Sequence, residues 1–170
     1  MEPIEGFEDF VRVRMPSLYR FGYALSGSQH DAADLVQEAL IRLGAAWPRV
    51  RRRDNPEAYV RTTMVRLHIS AWRRRRRELL VSAVPDRGYT DAALAGIDER
   101  DDLWRALAKV GPRQRAVLVL RYYEHRSDEE IATMLGVSRG TVRSQAARGL
   151  DRLRGGWNAD EPARTCGGES

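Results

Sequence analysis

Six residues carry the clearest chemistry in this 170-residue sequence: Arg139, Thr141, Arg143, Ser144, Ala147 and Arg148. They fall within SDEEIATMLGVSRGTVRSQAARGLDRLR, residues 127–154. An arginine guanidinium presents a planar donor fork that matches the two acceptors on the major-groove edge of guanine, a pairing worth roughly 1–3 kcal/mol of base discrimination. Serine and threonine hydroxyls reach phosphates or base edges, and a small alanine lets a helix approach thymine methyls. The chemistry would be sequence reading on duplex DNA. The plainer alternative is a helical hairpin with a solvated basic face.

The local elements favour the first reading. Ser127 and Glu130 have the spacing of a capping box, which starts a helix. Ile131 and Leu135 point inward, and small Ala132 lets a second helix cross closely. Gly136 supplies the left-handed residue that ends the first helix, Val137 plugs the turn, and Ser138 caps the next. A connection of about three residues is what a helix-turn-helix requires. Val142, Ala146 and Leu150 then face the core, leaving the six residues above on the early, exposed part of the second helix, which enters the major groove in this motif.

The rest of the chain also reads as helix. Phe7, Val11, Met15, Leu18, Gly22 and Leu25 recur at helical spacing, with Pro16 expected to kink or split the pattern. Ser28 caps a second helix whose apolar face is Leu35, Val36, Ala39, Leu40 and Leu43, and Pro48 should end it. The stretch WPRVRRRDNP, residues 47–56, is expected to be a loop, and Asn55-Pro56 starts a third helix lined by Val60, Met64, Leu67 and Ala71. This helix runs into Trp72 and the five arginines Arg73 to Arg77. After residues 78–97, broken by Pro85, Gly88 and Gly96, come Leu103, Leu107 and Val110, then Gly111-Pro112, then Val117, Leu118, Leu120 and Tyr122. The expected organisation is all-α: helical domains over 5–77 and 99–154, a flexible acidic linker over 78–98, and a disordered tail over 155–170. Nothing in either domain's pattern marks a surface for the other.

Charge follows the same division. Residues 1–77 carry net +6, residues 78–102 net −5 and residues 103–170 net +4. Lys109 is the one lysine among 29 basic residues. Such a balance leans toward nucleic acid, while genomic base composition accounts for much of the arginine preference. Cys166 is the sole cysteine, so neither an intrachain disulfide nor a cysteine metal cluster can form. His30, His68 and His125 are scattered without ligand spacing, and neither a phosphate-binding glycine loop nor a nucleophile–base pair is present. No metal, cofactor or enzymatic activity is expected. MEPIEGFEDF is not a signal peptide and no apolar run is of membrane length, so a cytoplasmic protein without membrane insertion is expected.

EEIATMLGVSRGTVRSQAARGLDRLR resembles the promoter −35-binding region of bacterial sigma factors. Upstream, DAADLVQEALIRL resembles the region that grips the RNA polymerase clamp, and NPEAYVRTTMVRLHISAWRRRRR resembles the −10 melting region. All three occur in family order over about residues 5–154. The short chain and linker resemble the extracytoplasmic-function (ECF) group, and the YVRTTMV…WRRRRR run its actinobacterial SigE-like family. The resemblance implies a factor that binds core polymerase at clamp and flap and directs promoter-specific initiation. It assigns Asp34, Gln37 and Glu38 to the clamp. Together with Ile41 these share the helix face opposite the apolar stripe. It places Arg51, Arg52, Arg53, Asn55, Tyr59, Thr62, Arg66, Trp72 and Arg73 near the −10 element, with Tyr59 equally suited to the core. The family often carries asparagine where Arg66 stands, and an arginine cannot present an amide's donor and acceptor together. An anti-sigma factor is a further family expectation. Two other classes are a stand-alone dimeric regulator, which needs neither the acidic face nor the −10-like helix, and a nucleic-acid enzyme, which lacks catalytic groups here.

Overall fold

The structure, a computed structural model, describes residues 6–53, 55–81 and 100–159. Seven α-helices run in order: α1 Phe7–Ser26, α2 Gln29–Arg53, α3 Pro56–Val81, α4 Arg100–Ala108, α5 Pro112–Leu118, α6 Asp128–Leu135 and α7 Arg139–Ala159. A π-helical turn, Val119–Tyr123, extends α5. The described residues contain no strand.

The first three helices bury one face each. Leu18, Phe21 and Leu25 of α1 meet Val36, Ala39 and Leu43 of α2 and Val60, Met64 and Val65 of α3. Gly22 makes the close crossing possible, because a Cβ there would stand 3.3 Å from the Ala32 Cα. Ser28 accepts from the Asp31 N–H and caps α2, as its position predicts.

Pro48 does not end its helix as expected, α2 running on to Arg53, and Pro16 does not split the one it lies in, α1. Each removes one backbone donor, but apolar anchors on both sides offset that loss. Trp47 packs edge-on against Phe7 at 5.5 Å and beside Phe10, while Val50, beyond the proline, is fully buried. Residues 47–53 are therefore helix rather than loop, and Arg51 and Arg52 stand on a helical turn. Asn55 caps α3, its side-chain oxygen accepting from the Glu57 N–H at 2.9 Å. The helix continues through the arginines to Val81, four residues beyond the expected end at 77.

The second set packs around Val117, Leu120, Ile131, Val142 and Ala146. Leu103 is exposed, contrary to its expected core role. Ala106 is buried and Trp104 half-buried instead, because α4 turns that side toward the rest of the molecule. The Ser127–Glu130 capping box forms, with Glu130 N–H donating to Ser127 Oγ and Ser127 N–H to Glu130 Oε2. Those bonds and Arg126 hold the Glu130 carboxyl below its ordinary value. Gly136 ends α6 at φ 66°, and Ser138 caps α7 through the Thr141 N–H. Expected tail residues 155–159 are helical, and Gly156 is buried beside Ala106. The expected linker over 78–98 lies outside the described residues beyond Val81, as does the expected tail beyond Ala159.

The two helical sets are docked, which the sequence pattern did not suggest. Trp104 of α4 meets Tyr23 of α1 edge-on at 4.8 Å. Arg115 of α5, 5% exposed, donates to the Ala24 carbonyl of α1. One apolar cluster spans both sets, and the buried Arg61 and Arg115 stand beside it, where a hydrophobicity pattern is blind to them.

Burial pushes the neighbouring His68 imidazole from 6.5 down to about 4, with further lowering by Arg115 and Arg75. The folded chain keeps it neutral, and the unfolded chain would take up a proton as pH drops below 6.5. Its stability contribution is therefore complete above that value and is lost progressively as pH falls toward 4. Replacing His68 with Gln should flatten the upper part of this decline in pH-dependent urea unfolding, before the carboxylates titrate. Independently, Ser127→Ala should cost about 1 kcal/mol through loss of the cap, seen as a lower denaturation midpoint with an unchanged slope.

Candidate nucleic-acid and polymerase interface

Three surfaces gather the residues singled out above. On α7, Arg139, Arg143, Ser144, Ala147 and Arg148 are exposed and Thr141 is half-buried. The hydroxyls are partly committed: Thr141 Oγ1 lies 2.9 Å from Ser138 Oγ, and Ser144 Oγ donates to the Thr141 carbonyl. Arg143 Nε lies 3.6 Å from Asp128 Oδ2, which also pairs with Arg121 at 2.9 Å. Asp128 thus tethers one edge of the Arg143 fork from the first turn of α6. Arg139 and Arg148 meet no acidic partner among the described residues, so their forks are open to an incoming acceptor.

The second surface runs along α3. Thr62, Arg66 and Arg73, at intervals of four and seven, share a face. Arg66 and Arg73 are exposed, Thr62 is half-buried, and Tyr59 is half-buried with packing against the core. Trp72 is half-buried with the Arg76 guanidinium 5.2 Å from its ring centre. Asn55 spends its oxygen on capping α3, leaving its amide donors. Arg51 and Arg52 are exposed at the end of α2, and the Arg53 backbone continues that helix. The α3 face does not look onto open solvent. Arg66 Nε donates to the Met134 carbonyl of α6 at 2.9 Å, and Arg66 and Arg73 line a cleft opposite Leu135, Val137 and Thr141.

The third surface is the outer face of α2, where Asp34, Gln37, Glu38 and Ile41 are all exposed, Ile41 to 60%. Glu38 pairs with Arg42 at 2.9 Å, and His30 Nε2 lies 3.6 Å from Asp34. Both contacts are exposed and cost little to break. Gln37 and Ile41 border an apolar groove completed by Val11, Met15 and Tyr19 of α1. Sequence reasoning missed this α1 half. Val11 and Met15 were assigned to the core stripe, and the signal was Tyr19, an aromatic residue lying off that stripe. It also missed Arg61 and Arg115, which are buried between the helical sets. In a chain so rich in arginine, nothing distinguishes them.

Among the described residues, no group of His, Cys, Asp or Glu is arranged to hold a metal ion, and no helix is long and apolar enough to cross a membrane.

The chain matches the sigma-70 region 2 family over residues 10–78 and the sigma-70, region 4 family over residues 106–155. It is 38% identical over 149 residues to the RNA polymerase sigma-E factor of Streptomyces coelicolor, covering 87% of this chain and 84% of that protein. The ECF RNA polymerase sigma factor SigE of Mycolicibacterium smegmatis is 34% identical over 161 residues, covering 87% of this chain and 60% of that one. Among solved structures, the co-crystal structure of the sigma factor RpoE with the anti-sigma factor NepR from Bartonella quintana aligns with a TM-score of 0.69 at 26% identity, over 91% of this chain and 98% of that one. With both sigma regions in order along one chain and relatives alike over most of its length, the protein belongs to the ECF group of the sigma-70 family of RNA polymerase sigma factors.

Proposed function

We propose that this sigma factor engages core RNA polymerase through the outer face of α2 and reads promoter DNA with α7 and α3. Sigma factors direct promoter-specific transcription initiation, and the two-region chain has the parts for it. The observation that carries the residue assignment is the arginine face of α7, set behind a tight, doubly capped turn and open to solvent. Arg143, oriented by Asp128, and Arg148, which meets no acidic partner among the described residues, are placed to present donor forks to guanine in the −35 element, and Arg139, beside the turn, to a phosphate.

On α3, Thr62, Arg66 and Arg73 form the polar stripe over which separated −10 bases and their phosphates would lie, with Trp72 at its far end. Opening the −10 duplex takes bases out of the stack, so it needs a receiving surface rather than a catalytic group. Tyr59 supports this surface from the core side. Arg73 to Arg77 and the turn at Arg51 to Arg53 add sequence-neutral phosphate attraction, which falls with salt. On α2, Asp34, Gln37 and Glu38 offer carboxylates and an amide to a basic partner surface, and Ile41 with the neighbouring groove adds apolar burial. The reading is of a cytoplasmic initiation factor without cofactor or enzymatic activity. Its working domains are 5–77 and 99–154. Its partners are core polymerase at clamp and flap, promoter DNA and, by kinship with sigma factors seen in anti-sigma complexes, a protein regulator.

Reconstituted holoenzyme should give run-off transcripts from a subset of a promoter library that core polymerase alone does not transcribe. A dimeric regulator working without polymerase would instead footprint promoters unaided. Reversing Asp34 and Glu38 to lysine should weaken core binding by about tenfold or more while leaving helical content intact, since like charges facing across an interface are costly. Equal recovery of core polymerase by the reversed and unaltered proteins would refute the α2 assignment. Arg143→Ala and Arg148→Ala should each cost roughly 1–3 kcal/mol and relax preference at one −35 position, whereas Arg139→Ala should weaken all sequences alike. Selection of binding sites by each variant checks this, and unchanged preference at every position for Arg143→Ala would remove that residue from direct readout.

A further inference from the structure

The first turn of α6 carries three acids, Asp128, Glu129 and Glu130, and they are not used alike. Glu130 closes the capping box with Ser127 and pairs with Arg126 at 3.1 Å. Asp128 reaches toward α7 instead. Its Oδ2 accepts from Arg121 Nη2 at 2.9 Å and lies 3.6 Å from Arg143 Nε, and its side chain is 17% exposed. Its Oδ1 is buried and meets no hydrogen-bond donor among the described residues. An acid serving only to offset the helix dipole can do so from solvent. Burying one carboxylate oxygen unpaired adds a desolvation cost that such a role does not require.

The position of that carboxylate matters because a guanidinium has more than one donor edge. A carboxylate beside Nε takes up the edge nearest the stem and leaves the terminal Nη pair to an incoming acceptor. At 3.6 Å the contact is an ion pair rather than a hydrogen bond, so it biases the arginine without immobilising it. Arg143 is otherwise 63% exposed, and without the carboxylate it would keep many rotamers and could turn to a neighbouring phosphate. The same carboxylate adds negative charge to a face on which Arg139, Arg143 and Arg148 are exposed. Near a phosphate backbone that charge lowers affinity for every sequence alike. Specificity is a difference of affinities, so a residue that weakens all complexes but selects one arginine geometry raises discrimination.

We propose that Asp128, which lies outside the recognition helix, is a specificity-determining positioning residue. It holds Arg143 off the phosphates and aims its terminal donors at one base pair of the −35 element, exchanging general affinity for preference at that position. Arg121 anchors the arrangement, since its closer contact keeps the carboxylate in place when Arg143 meets DNA. This role rests on the assignment of Arg143 to direct readout, and Arg143→Ala tests that assignment by itself.

The test reconstitutes holoenzyme with the full chain and sequences the duplexes it retains from a promoter library randomised across the −35 element. Asp128→Asn is nearly isosteric and can still accept from Arg121. It should reduce preference about fivefold or more at the one position that Arg143→Ala flattens, leaving the other positions as they were. On a duplex with a scrambled −35 element the same variant should bind about two- to fivefold more tightly at low salt, with a steeper salt dependence. In the Arg143→Ala background, Asp128→Asn should change base preference at no position, a non-additivity that a role confined to holding α6 together would not produce. Equal weakening at every position by Asp128→Asn, or undiminished preference at the Arg143 position, overturns the positioning role. An Arg143→Ala holoenzyme with every preference intact removes the direct readout on which the role stands and overturns it as well, leaving the run-off assay to judge the sigma-factor role separately.

Discussion

A guanidinium buried at a domain seam has to find acceptors, and the orphan carbonyls of helix ends are among the few a folded chain leaves unspent. Arg115 depends on this match. Burial pushes its pKa down to about 10, still high enough to keep it charged near neutral pH. The carbonyl of Ala24, the C-terminal end of α1 and the nearby Trp104 face, 5.9 Å away, together receive that charge. Much of the molecule's geometry depends on it. α5 is pinned against the end of α1, and α4 is carried along through Trp104. The crossing of α5 with α7 is as close as an absent side chain allows, since a Cβ on Gly149 would meet Leu118 at 3.0 Å. α7 presents its arginines from a position held by its packing on α4, α5 and α6, of which α5 is tied to α1 through Arg115.

The π-helical turn after α5 belongs to the same arrangement. An extra residue in a helical turn redirects the chain beyond it. Here Val119 and Leu120 stay buried, Tyr122 and Tyr123 stand in solvent, and Glu124 arrives beside Arg61. The chain then leaves through His125 at φ 54°, a left-handed conformation uncommon for a residue with a side chain. Local irregularity is concentrated where the two regions meet.

Apolar periodicity made the seven helices legible, and residue chemistry made their caps legible. The capping box at Ser127, the glycine at 136 and the caps at Ser28, Asn55 and Ser138 are local devices, and each formed where its residues stood. The exposed faces of α2 and α7 were legible for the same reason, as what remains once the apolar stripe is removed. Pro48 misled because a backbone rule was applied without its tertiary counterweight: Trp47 holds the end of α2 in place through contacts with Phe7 and Phe10, some forty positions away, and Val50 beyond the proline is buried. Arg61 and Arg115 were invisible for a different reason. Burial of a cation depends on where an acceptor happens to lie in space, and no periodicity records that. Domain docking was missed along with them.

The continuity of α2 through Pro48 makes that helix a strut. At about 1.5 Å of rise per residue, Asp34 and Arg51 are spaced roughly 26 Å apart along one axis. Had the chain broken into a loop at Pro48, the acidic face and the arginine turn could have shifted independently, each adapting to its own surface. On an unbroken rod they keep a set distance and a set angular offset, so anything that tilts one end swings the other. Misfit between the surfaces met at the two ends cannot be absorbed within the helix and must be taken up by whatever lies against them. A stiff protein element facing a deformable polymer turns its own length into a gauge.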